Sequence, residues 1–170
     1  MRYILGGVAL ALLAALGVSA SLPSEWRVVS KTDIQAAPPA IHRFVADFEQ
    51  WGRWAQWREA EAPNVELRAS LEDEVPTQRI LVDGEERARL TMRSVSELEV
   101  VVEIAGGLPG TQTLRLNPAE GGTTEVTWID EGRIEVPLIA GLFAYDIRSK
   151  LEEHHKIALR KLRALAESVR

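Results

Sequence analysis

The spacing of apolar residues changes several times along this chain. From Ile4 to Val18 every residue is apolar or Gly, too continuous a run for the surface of a soluble domain. From Trp26 the pattern alternates. Trp26, Val28 and Ile34 share one parity, and Arg27, Lys31 and Asp33 the other. That period predicts a first strand ending at Gln35. Ala36-Ala37-Pro38-Pro39 stops it, and proline is tolerated in the first turn of a helix. Ile41, Phe44, Val45 and Phe48 then recur at i, i+3, i+4 and i+7, the signature of a short amphipathic helix. Gln50-Trp51-Gly52 breaks it. A second short helical turn carries Trp51, Trp54 and Trp57.

From Asn64 the period is two again. Val65, Leu67, Ala69 and Leu71 alternate with Glu66, Arg68 and Ser70. Thr77 to Val82 forms another run, and Asp83-Gly84 marks a two-residue hairpin whose central residues need positive φ. Ala88, Leu90 and Met92 make the return. Leu98 to Ile104, Thr111 to Asn117 and Thr124 to Glu131 follow, with short connections that imply antiparallel pairing. The last segment is helical. Phe143, Ile147, Leu151, His154, Ala158, Leu162 and Leu165 step by three and four along one stripe. A helix of that length needs a broad apolar surface, and only the sheet offers one. The predicted class is α+β: a seven-stranded antiparallel curved sheet wrapped around a long C-terminal helix, with two short helices after the first strand. A twisted sheet closed by a single rod tends to leave an apolar hollow between them.

The opening run bears on location. Arg2 precedes it, Val18-Ser19-Ala20 follows, and no acidic residue occurs before Glu25. Residues 1–22 therefore read as a signal anchor or a cleaved signal peptide, and 23–170 as one domain. As a helix, Tyr3 to Leu22 would span roughly 30 Å, the thickness of a bilayer's hydrocarbon core. A buried core helix is the third reading. The expected place is the cell membrane, by a single N-terminal span with the domain outside the cytoplasm, or the periplasm or exterior if the leader is removed.

Composition narrows the chemistry. The net charge is −5 and there is no stripe of basic and aromatic residues, so nucleic acid is not an expected partner. There is no cysteine, which excludes disulfides, thiolate nucleophiles and Cys-ligated metal. No cofactor motif is present. His154 and His155 are adjacent, so their side chains point about 100° apart on a helix and do not share an ion readily. His154 lies on the apolar stripe as a polar tip. Asp130 and Glu131 face opposite sides of a strand and read as a solvated strand end. Arg87, Arg89 and Arg93 read as the outer face of a strand. The three tryptophans are either an aromatic rim at a cavity mouth or, more simply, a packing cluster.

Several stretches resemble a known family. Leu22-Pro23-Ser24-Glu25-Trp26, Ile34-Gln35-Ala36-Ala37-Pro38-Pro39, Phe44-Val45-Ala46-Asp47-Phe48 and Trp51-Gly52-Arg53-Trp54-Ala55-Gln56-Trp57 look like the opening of bacterial polyketide cyclase/dehydrase-type proteins of the START-like, or SRPBCC, superfamily. Thr123-Thr124-Glu125-Val126-Thr127-Trp128 is similar to that family's last strand. The resemblance implies a helix-grip fold with a hydrophobic ligand cavity and favours the anchor. One departure is the middle hairpin, Val75 to Met92, which has no Trp and is rich in Arg and Glu.

The resulting expectation is a non-catalytic binder of an apolar small molecule or lipid, without cofactor or metal. Its candidate lining is Val100 and Val102 on the sheet, Trp128 on the last strand, and Phe143, Ile147 and Leu151 on the long helix, with Phe44 and Phe48 closing one end. A cyclase or dehydratase would instead need an acid–base group inside, for which His154, Asp130 and Tyr145 are the candidates. A membrane-tethered interaction module is the third expectation. Neither the ligand nor the oligomeric state is legible at this level.

Overall fold

A computed structural model describes residues 17, 22–55, 64–136 and 140–169. The expected leader falls almost wholly outside the described residues, as does Trp57. Among the described residues no helix is long and apolar enough to cross a membrane.

Seven strands form one antiparallel sheet in the order β1-β7-β6-β5-β4-β3-β2. They are β1 (Glu25–Ile34), β2 (Val65–Glu72), β3 (Val75–Val82), β4 (Glu85–Val95), β5 (Glu99–Gly106), β6 (Gly110–Pro118) and β7 (Thr124–Arg133). Strands β2 to β7 are a meander, and β1 closes on β7 as an edge. Between β1 and β2 lie the helices α1 (Pro38–Val45) and α2 (Phe48–Trp54), and after β7 comes α3 (Ala140–Glu167). This is the expected helix-grip α+β arrangement.

Local chemistry explains the short elements. Prolines occupy the first turn of α1, where a missing N–H costs nothing. Asp47 caps α2, its carboxylate accepting from the Glu49 N–H at 2.9 Å. Asp83 and Gly84 both have positive φ, as a type I′ turn requires. A further tight turn at Asp73 and Glu74, also at positive φ, carries no glycine to announce it.

Cross-strand register defines the inner face. One row runs Val28, Asp130, Gln112, Val102, Met92. The next runs Ser30, Trp128, Leu114, Val100. A third pairs Trp26 with Gly132 and Gly110. These glycines are required. A Cβ on Gly132 would lie 2.5 Å from both the Pro109 carbonyl oxygen and the Trp26 ring.

Helix α3 lies along the edge strand β1 and runs in the same direction. Four contacts lace the two together. Arg148 donates to the Glu25 carbonyl at 2.9 Å, His155 meets Ser30, Arg163 bonds Thr32, and the Gln35 N–H donates to Glu167 at 2.9 Å. This lacing fixes the rotation of the helix and corrects the expected stripe. The buried positions are Gly141, Ala144, Leu151, His154, His155, Ala158, Leu159, Leu162 and Ala166. Phe143 is 51% exposed and does not line the interior.

Candidate functional site

The interior is two apolar clusters. The larger joins Ile34, α1, α2, the inner residues of β4–β7 and the C-terminal half of α3, and it contains Phe44, Phe48, Val100, Val102 and Trp128. The smaller is Trp26, Val28, Ala144 and Leu151, with Ile147 packed against it. The expected lining is therefore divided: five residues fall in one cluster, Leu151 and Ile147 in the other, and Phe143 in neither. Val100 and Val102 leave no accessible surface and Trp128 only 1%.

Aromatic side chains fill the hollow at that lining. Phe48, Trp51, Trp54 and Trp128 follow one another in edge-to-face contacts with ring centroids 5.0, 5.5 and 5.4 Å apart. The α2 tryptophans are seated by their indole N–H groups, Trp51 donating to the Val45 carbonyl at 2.9 Å and Trp54 to the Phe44 carbonyl at 3.0 Å. Trp51 and Trp54 are thus a packing cluster rather than a rim. Trp128 stacks on the His155 ring at 4.1 Å.

Where the two apolar clusters meet, the seam is polar. His155, completely buried, points Nε2 at Asp130 Oδ2, 2.8 Å away, and Nδ1 at Ser30 Oγ, 3.0 Å away. The Gln112 amide donates to the same Asp130 oxygen at 3.3 Å. The side chains come from β1, β6, β7 and α3, so only the folded sheet and helix bring them together. Burial pushes the Asp130 carboxyl above its usual range, while the hydrogen bond and charge of His155, and then the amide of Gln112, pull the other way. By strict hydrogen-bond geometry Asp130 Oδ1 and Gln112 Oε1 have no protein partner, and the Trp128 indole also acts on the Asp130 carboxyl as a donor that lowers its pKa. Asp130 is therefore not a solvated strand end. It shares its parity with Trp128 and Val126, and the structure, not the strand pattern, turns that face inward and supplies the partner.

His154 is also buried, edge-on to Trp128 at 5.7 Å. Burial, then the charges of His155 and Lys161, lower its pKa to about 3. Tyr145, at 72% exposure, is withdrawn as an interior acid–base group. Glu131 faces outward and pairs with Arg27. Arg87, Arg89 and Arg93 lie on the outer surface, each paired with a glutamate. Among the described residues no group of three His, Asp or Glu side chains is placed to hold a metal ion.

The family described as "Polyketide cyclase / dehydrase and lipid transport" matches residues 25–167 of the chain. This chain belongs to that family. No curated protein matches it. Solved structures share its fold. An aromatase/cyclase from a Streptomyces species, Zhui, aligns with a TM-score of 0.62 at 13% identity, over 84% of this chain and 94% of that one. The di-domain aromatase/cyclase StfQ of the steffimycin biosynthetic pathway gives 0.60 at 13% identity, over 85% and 52%. A Thermus thermophilus protein gives 0.58 at 17% identity, over 84% and 97%. At such identities the likeness concerns the fold alone. The polyketide cyclase/dehydrase family thus supplies an architecture, and Ser30, His155, Asp130 and Gln112 form a polar seam in this chain's interior.

Proposed function

We propose that this domain binds a largely apolar small molecule or lipid against the concave face of β4–β7, without catalysing a reaction, and that residues 1–22 hold it at the cell membrane, outside the cytoplasm. The observation that carries the reading is the seam. A buried acceptor left without a partner costs about 1–3 kcal/mol, and an apolar seam of the same shape would avoid that cost. Asp130 Oδ1 and Gln112 Oε1 lie without a well-formed protein hydrogen bond in the middle of a greasy interior, with the Trp128 indole beside the carboxyl. A guest that is apolar over most of its surface and carries one hydroxyl would donate to one of them, while a carboxylate would be repelled by Asp130. The reading places the guest against Trp128, in space that Trp54 fills here. The family's description, which includes lipid transport, supports the same class of ligand.

The test is a melting series with long-chain alcohols and phenols, beside matched hydrocarbons and fatty acids. A hydroxylated guest at about one hundred times its dissociation constant should stabilise the fold by about 2.7 kcal/mol. Asp130→Asn should erase the preference for alcohol over hydrocarbon. No shift with any class, together with native mass spectra of membrane-purified protein carrying no small molecule, would overturn the proposal.

A second reading has one observation in its favour. Asp130 is buried with an oriented partner, His155, and its raised carboxyl is suited to general acid work. A cyclase or dehydratase would then keep binding but lose turnover in Asp130→Asn.

A further inference from the structure

The end of the domain where the leader departs carries an apolar surface. Ser24 accepts a hydrogen bond from the Ile134 N–H at 3.0 Å, so the chain leaves the domain beside the β7–α3 connection. The Ala140 N–H bonds the Val136 carbonyl at 3.1 Å, placing the first turn of α3 at that end. Around that turn Val136, Leu142, Phe143 and Tyr145 are 46, 44, 51 and 72% exposed. Arg27–Glu131, Arg133–Glu25 and Lys150–Asp146 pair most of the charges nearby, Arg148 is held by the Glu25 carbonyl and Glu135 is exposed beside Val136; the start of α3 itself, Ala140 to Tyr145, carries no charge.

Connectivity names the occupant. The uninterrupted apolar run ends at Val18, and a span counted to Leu22 leaves two residues before Ser24. Two residues reach at most about 7 Å, and the six from Val18 about 20 Å. A leader that spans the bilayer therefore brings this end of the domain down onto the headgroups. We infer that the first turn of α3, through Leu142, Phe143 and Tyr145, is a lipid-contacting surface that sinks into the outer interface of the membrane anchoring the chain. Tyr145 suits that depth, because its ring is apolar and its hydroxyl stays wet. The inference rests on the anchor reading above and is independent of any bound guest. The opposite end supplies matched controls. Val95 and Leu98 are each 46% exposed, but they flank the β4–β5 turn, about 30 Å away at about 3.3 Å per residue.

The chain has no cysteine, so single nitroxide labels can be placed on the full chain at Leu142→Cys, Phe143→Cys, Tyr145→Cys, Val95→Cys, Leu98→Cys and, within the leader, Leu12→Cys. In phosphatidylethanolamine–phosphatidylglycerol vesicles, oxygen should relax the three α3 labels more than a nickel chelate does, and the order should reverse at the two controls. Vesicles of phosphatidylcholine alone should give the same result. A lipid-buried Leu12 label with aqueous α3 labels would overturn the docking surface and leave the anchor standing. Aqueous labels at Leu12 and α3 together would remove both. An α3 turn shielded from oxygen and nickel alike would mean that a protein covers it, which also overturns the inference.

Discussion

Lowering the pH tests the buried histidine. His154 sits under Trp128 with its pKa depressed from 6.5 to about 3. The native state therefore refuses a proton that the unfolded chain accepts. This contribution to stability is complete above 6.5 and is lost as pH falls toward 3. With those two values, the loss between about pH 7.5 and about pH 5 is RT ln(1 + 10^1.5), or about 2 kcal/mol. For a domain of this size that is a fall of roughly 4–8 °C in Tm. Asp130 acts in the opposite sense. Its carboxyl is raised, so its contribution is fully present below the ordinary value of 3.8 and is lost as pH rises through the folded value. Comparing the wild type with His154→Gln isolates the histidine, because Asp130 is common to both. Urea unfolding followed by far-ultraviolet circular dichroism at several pH values should show the wild type losing about 2 kcal/mol more than the variant over this interval. Parallel curves would mean that His154 takes up its proton in the folded state, and the packing described for it would be wrong.

Three further outcomes follow from the same geometry. Asp130→Leu should cost about 3–5 kcal/mol by stranding His155, whereas Asp130→Leu with His155→Leu should recover most of it; a double-mutant cycle in urea reads the difference. Trp54→Ala should cost about 3–5 kcal/mol and should increase uptake of an apolar fluorescent dye, since the ring fills the space proposed for the guest; unchanged dye binding would place the guest elsewhere. Gly132→Ala should destabilise by about 1–3 kcal/mol, because the new methyl meets the Trp26 ring and the Pro109 carbonyl; a melt equal to wild type would contradict the register of β1 on β7.

Periodicity alone established the elements of this protein. Alternation on Trp26 and Val28, the Asp83-Gly84 turn and the proline pair before Ile41 are local signals, and each acts within a few residues of the structure it dictates. Which parity of the sheet faces inward was not legible, because alternation gives two faces and only the packing of the helices chooses the one that buries Val100, Val102 and Trp128. Nor was the rotation of α3. A stripe through Phe143, Ile147 and Leu165 and one through Ala144, His155 and Ala166 both satisfy a 3.6-residue period and share Leu151, His154, Ala158 and Leu162. Only the contacts of Arg148, His155, Arg163 and Glu167 along β1 decide between them. That choice turns Phe143 outward and His155 inward. It also joins Asp130 to a partner 25 residues away, and a chemical site assembled from four separate elements has no spacing in the chain by which it could be read.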